Sequence, residues 1–143
     1  LNEESTRTEV LKAAAGSNHF LGWIKCRGQS FVHAGRGFLL LCRTQCNFRI
    51  HLVAGLGAIC LGCYFRISAI EWLGLIAAIT LVLCAEALNT AIERTVDLIE
   101  PARHPVARDA KDMAAAGVLI ASLFSLIVGL ILFGPRLLRV LLG

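Results

Sequence analysis

From Met113 to Pro135 the chain runs for 23 residues without a charged side chain. A helix rising about 1.5 Å per residue makes such a run long enough to cross a hydrocarbon core of roughly 30 Å. No other feature restricts the fold so sharply, because a backbone inside lipid has to satisfy its own hydrogen bonds, and a single span does so as a helix. Two further runs are less clean. Leu52 to Phe65 is free of charge for 14 residues, and Trp72 to Ile92 extends for 21 residues broken by Glu86. Arg49 and Arg66 extend the first of these, since their stems reach toward the headgroups from either end. A pair of buried soluble helices is the competing reading of these two runs. Composition favours the bilayer: the chain is 57% hydrophobic and 17% charged, far from the balance of a soluble domain.

The expected architecture is all-α and integral to the membrane, with spans at about 48–66, 70–99 and 109–134. Asp109 is the expected start of the third, after Pro101 and Pro105 punctuate the loop and stop the second helix near Ile99. Residues 1–18 are polar and carry no apolar core of a secretory signal; they are expected to be mobile. From about 19 to 45, Phe20, Trp23, Ile24, Phe31, Phe38 and Leu41 alternate with Lys25, Arg27, Arg36 and Arg43. This pattern reads as an amphipathic surface helix, with Gly28, Gly35 and Gly37 as candidate break points; the alternative is a juxtamembrane segment that only attracts anionic lipid. Residues 19–140 then make one membrane domain.

Lysine and arginine set orientation. Seven of the fourteen precede the first span and four (Arg94, Arg103, Arg108, Lys111) lie between the second and third, against Arg66 in the intervening turn and Arg136 and Arg139 after the third. The N-terminus and second loop are therefore expected to be cytoplasmic and the C-terminus external. The six cysteines do not form a metal-binding pattern; Cys60 and Cys63 lack a second pair, and they read as small apolar residues.

Chemistry concentrates in the second span. Glu86, Asn89, Glu93 and Asp97 are spaced i, i+3, i+7 and i+11, which at about 100° per residue puts them on one stripe. Ionisable groups in a span face protein or a water-filled cavity, so the stripe is a candidate functional site, with a polar stripe that joins helices in an oligomer as its structural alternative. Glu86 is expected near the inner edge of the hydrocarbon and Glu93 about 10 Å further, at the interface. A lipid hydroxyl and a water-soluble co-substrate meet at that depth. Lys111 and Asp112 open the third span on the same side; a lysine there is a point charge for phosphate or simply a boundary anchor. No phosphate-binding G-x-x-x-x-G-K-[ST] loop and no protein-kinase glycine loop is present.

The run Glu86-Ala-Leu-Asn89-Thr90-Ala-Ile-Glu93, with Val96-Asp97, His104-Pro105 and Ala110-Lys111-Asp112-Met-Ala-Ala, resembles the prokaryotic diacylglycerol kinase and undecaprenol kinase family. Ser30-Phe-Val-His-Ala-Gly-Arg-Gly37 and Asn47-Phe-Arg49-Ile-His51 are similar to it too, so the likeness covers about residues 20–140. The resemblance implies a homotrimeric ATP-dependent lipid kinase of the bacterial cytoplasmic membrane, with active sites shared between subunits, magnesium as cofactor and no nucleic-acid partner. It casts Glu86 as the base that takes the lipid hydroxyl proton, with Asn89 and Arg49 on the lipid side. Glu93 becomes a magnesium ligand, Lys111 and Asp112 the nucleotide-binding pair, and Arg103 and His104 neighbours of the adenine. Arg27 and His33 fall where the surface helix covers the phosphates. Gln45 departs from the family pattern, which places a second magnesium-binding glutamate there. Magnesium takes oxygen ligands, so an amide carbonyl substitutes with one negative charge fewer. A non-catalytic membrane scaffold or sensor is the rival that this departure raises, and a small ion-conducting oligomer is the third reading. The motifs look closer to the undecaprenol branch than to the diacylglycerol branch.

Overall fold

The structure, a computed structural model, describes residues 28–102 and 104–143. The polar segment 1–18, Arg27, Arg103 and the first part of the expected surface helix lie outside the described residues. The chain divides into two units. In the first, which ends at Leu40, residues 28–40 are helical and exposed throughout, and Gly28, Gly35 and Gly37 do not interrupt the helix. These glycines lie on an open surface, so they lower helix propensity without clashing or bending.

The second unit begins at Leu41. Helicity (α1, residues 28–44 among those described) ends at Thr44, and Gln45 is extended at φ −109° and ψ 113°. Three helices follow: α2 (Cys46–Tyr64), α3 (Ala69–Ile99) and α4 (Pro105–Leu142). All three are long and apolar enough to cross a membrane. Much of their surface is apolar and uncovered by the chain itself, for example at Val53, Leu73, Leu119 and Ile131, which suits a hydrocarbon surrounding and not water.

The turn between α2 and α3 is built by local rules. Arg66 adopts φ +49°, while its N–H bonds the Cys63 carbonyl and the Ile67 N–H bonds the Gly62 carbonyl, each at 3.2 Å. That pairing is a Schellman motif, with an arginine at the left-handed position glycine usually fills. Ser68 then opens α3 with a capping box: Glu71 Oε2 accepts from Ser68 N–H at 2.8 Å, and Ser68 Oγ accepts from Glu71 N–H at 3.4 Å. The other oxygen of Glu71 accepts from Arg136 Nη2 at 2.8 Å, which ties the start of α3 to the end of α4. Nearby, Ile67, Leu75, Leu132 and Phe133 form the buried core, with Ala58, Phe65, Trp72, Ile79 and Val128 packed on it.

α4 is longer than the span expected within it. It opens at Pro105 because a proline at the first position needs no N–H partner and His104 caps the turn, its Nδ1 accepting from Val106 N–H at 3.3 Å. It also continues through Pro135 to Leu142. Pro135 brings no N–H to the Ile131 carbonyl, and Arg136 Nη1 adds a side-chain donor to the neighbouring Leu132 carbonyl at 2.5 Å.

Candidate active site

α2 and α3 run antiparallel, so contacts repeat down the hairpin. A Cβ built on Gly62 would come within 2.9 Å of the Trp72 ring, and one on Gly55 within 3.1 Å of Ile79. Further from the turn His51 meets Glu86, and at the far end Thr44 accepts from Arg94 Nη2 at 3.0 Å. This register decides which α2 side chain the polar stripe faces.

Glu86 is 3% exposed, and it and Thr90 are the buried polar residues among those described. Its Oε1 lies 3.5 Å from His51 Nε2. One turn on, Asn89 Nδ2 donates to Glu93 Oε1 at 2.9 Å, while Asn89 Oδ1 is buried with no hydrogen-bond partner. A buried acceptor without a donor is rare, and a water, an ion or a ligand group would satisfy it. Asp97, the last of the stripe, is bound by Lys111 Nζ from α4. The stripe therefore faces α2 at Glu86 and α4 at Asp97, with Asn89 and Glu93 between.

Beyond Asp97 the α3–α4 loop borders a cleft of about 760 Å³ walled by Asp97, Glu100, His104, Arg108, Lys111 and Asp112 among others. Lys111 is half-buried, whereas Arg108 and Asp112, paired at 3.5 Å, are both exposed, so water weakens that pair. The cleft thus gathers Lys111, Asp112 and His104 at the end of the polar stripe. Gln45 sits at the break before α2, and its Nε2 donates to Thr44 Oγ1 at 3.4 Å, the hydroxyl that also receives Arg94. Arg49 is exposed in the first turns of α2, and His33 is exposed on residues 28–40.

Magnesium takes oxygen ligands and needs only one or two carboxylates when phosphates and water complete its shell. Among the described residues no three His, Cys, Asp or Glu side chains gather as a metal site. The half-buried Glu93 carboxylate beside the orphaned Asn89 Oδ1 does match that requirement in donor chemistry.

Residues 32–133 match the prokaryotic diacylglycerol kinase family over most of the chain. The chain belongs to this family. It is 44% identical to the undecaprenol kinase of Bacillus subtilis over 109 residues, which cover 76% of this chain and 89% of that protein. It is also 35% identical to the diacylglycerol kinase of Escherichia coli K12 over 119 residues, covering 83% of this chain and 94% of that one. Both relatives are named as lipid kinases. The segment matched to the family holds the whole α3 stripe together with His33, Gln45, Arg49, His51, Lys111 and Asp112, and excludes Arg27. No local spacing in the sequence marks His51 or Arg94 as site residues. Their partners are 35 and 50 residues away, and only the hairpin register reveals them.

Proposed function

We propose that the chain transfers the γ-phosphate of ATP to the primary hydroxyl of a membrane lipid, and that the acceptor is a polyprenol such as undecaprenol. Membership of the family supports the lipid kinase reading, and the higher identity to the undecaprenol kinase supports the acceptor. The observation that carries the mechanism is Glu86, a carboxylate 3% exposed within an apolar helix and on one stripe with the half-buried Glu93 and the Asp97–Lys111 pair. A carboxylate buried in a span is costly to hold, and such groups mark functional sites.

In this reading the lipid oxygen attacks the γ-phosphorus, the bond to the β–γ bridging oxygen breaks, and Glu86 takes the hydroxyl proton. Lys111, oriented by Asp97, supplies a positive charge to the transferred group, and Asp112, His104 and Arg103 lie along the nucleotide. Arg49 and Asn89 stand on the lipid side. Glu93, Asn89 Oδ1 and the Gln45 side-chain carbonyl would hold magnesium, which when bound neutralises charge on the β- and γ-phosphates. The loop ends of α3 and α4 face the cytoplasm and the C-terminus is external, across the bacterial cytoplasmic membrane. The working form is a homotrimer whose neighbouring subunits complete each site.

A labelled-ATP assay on purified protein with polyprenol, diacylglycerol and ceramide acceptors tests this. Label is expected in the polyprenol above the other two. Label confined to diacylglycerol would refute the acceptor, and label in no lipid would refute the kinase.

A further inference from the structure

A buried base that takes a proton from each acceptor must lose it before the next, and burial cuts Glu86 off from the water that would accept it. Glu86 is 3% exposed. The ionisable group that reaches it is His51 of α2, whose Nε2 stands 3.5 Å from Oε1 and whose side chain is 26% exposed. His51 is thus in contact with both the carboxylate and the surroundings.

Its own surroundings are otherwise uncharged. His51 lines a groove of about 330 Å³ between α2, α3 and α4, with Ala54 and Gly55 on its own helix, Val82 on α3 and Ser122 and Ser125 on α4 among the other walls. No other lining residue ionises. The charged groups nearest along the packed helices are Arg49, exposed two residues earlier on α2, and Glu93 on α3, already engaged by Asn89; α4 presents none to the groove. A 3.5 Å separation is about 0.3 Å beyond hydrogen-bond reach, and such contacts are commonly long before substrate binds.

We propose that His51 is the positioning residue of Glu86 and the group that carries its proton away. This rests on the kinase reading above. The lipid O–H bond breaks as its oxygen bonds to the γ-phosphorus, and the proton passes to Glu86. Neutral His51 accepts that proton at Nε2, which restores the Glu86 carboxylate, and then gives up its Nδ1 proton to water reaching the Arg49 end of α2. Imidazole is suited to this because it binds and releases protons between about pH 5 and pH 8.

The test uses the full chain in mixed micelles with labelled ATP and a polyprenol, comparing wild type, His51→Gln and His51→Ala with and without added imidazole. Glutamine keeps a hydrogen-bonding amide but carries no proton. His51→Gln is expected to lower kcat about tenfold or more, leave KM for ATP within about twofold, and change the pH profile of kcat between about pH 5 and pH 8. Imidazole is expected to restore part of the kcat of His51→Ala. Wild-type kcat and an unchanged pH profile in His51→Gln overturn the proposal and leave the kinase reading standing. A loss in His51→Ala that glutamine repairs and imidazole does not is a packing role, and also overturns it. Wild-type protein that labels no lipid overturns both. Nucleotide affinity, measured separately in each variant, distinguishes a folded protein with impaired turnover from a misfolded one; a loss of kcat that follows misfolding in both variants counts against the proposal.

Discussion

Replacing Gly62 tests whether close approach of α2 and α3 sets the register that brings His51 to Glu86. An alanine Cβ at this position would lie 2.9 Å from Trp72 Cη2 and 3.1 Å from both Trp72 Cζ2 and Ile67 Cδ1. Ile67 is buried in the core and is also held by its backbone bond to Gly62, so it has little room to yield. Overpacking of this kind costs about 1–3 kcal/mol. Exchanging glycine for alanine inside a helix returns about 0.5–1 kcal/mol. The net expectation for Gly62→Ala is a loss of about 1–2 kcal/mol, and for the larger Gly62→Val about 3 kcal/mol or more. Gly57 is the control, in the same helix but with nothing within 4 Å of its built Cβ, so Gly57→Ala should be neutral or slightly stabilising. Unfolding in detergent followed by tryptophan fluorescence reads all three, since Trp72 is the side chain displaced. Lipid phosphorylation should fall in Gly62→Val more than in Gly57→Ala as the far end of the hairpin shifts. Equal stability of Gly62→Ala and Gly57→Ala would refute the close approach, and with it this account of the register.

Three more expectations follow from single positions. Arg66 holds φ +49°, where side chains cost about 1 kcal/mol, so Arg66→Gly should raise unfolding stability by about that amount; no gain would mean the turn relaxes some other way. Gln45→Glu should lower the magnesium concentration needed for half-maximal activity, and Glu93→Gln should raise it, each by roughly tenfold if about 1.4 kcal/mol of metal binding changes; unchanged magnesium titrations would remove both residues from the metal. A reporter fused after Gly143 should be external and one placed before His19 cytoplasmic, and both on one side would remove the three-span arrangement and move Lys111 away from the ATP side.

What could be read from the sequence was local. The apolar runs located α2, α3 and α4, and the 100° repeat placed Glu86, Asn89, Glu93 and Asp97 on one stripe, which α3 carries as a single helix. Helix ends were less legible. Pro105 reads equally as a stop for the helix before it and as the first residue of the helix after it, and His104 capping decides for the second. Pro135 ends an apolar run without ending the helix. Gly28, Gly35 and Gly37 read as candidate breaks, yet a helix carries single glycines at a cost of about 1 kcal/mol each and continues through all three. The pairs His51–Glu86, Thr44–Arg94 and Glu71–Arg136 were beyond reach for another reason. Each joins residues 35 or more apart; the first two depend on a register fixed by Gly62 against Trp72 and by the tight turn at Arg66, and the third on the packing of α4 against α3.

In the proposed reaction Glu86 takes the acceptor's proton while Glu93 serves the metal and nucleotide. The most direct measurement is label transfer from ATP to polyprenol by wild type, Glu86→Gln and Glu93→Gln, with magnesium-dependent ATP binding measured on the same preparations. Glu86→Gln is expected to bind ATP as wild type does and to lose turnover by about a hundredfold or more, the contribution usual for a general base. Glu93→Gln is expected to lose magnesium-dependent binding. Near wild-type turnover in Glu86→Gln would contradict the account, whatever Glu93→Gln does.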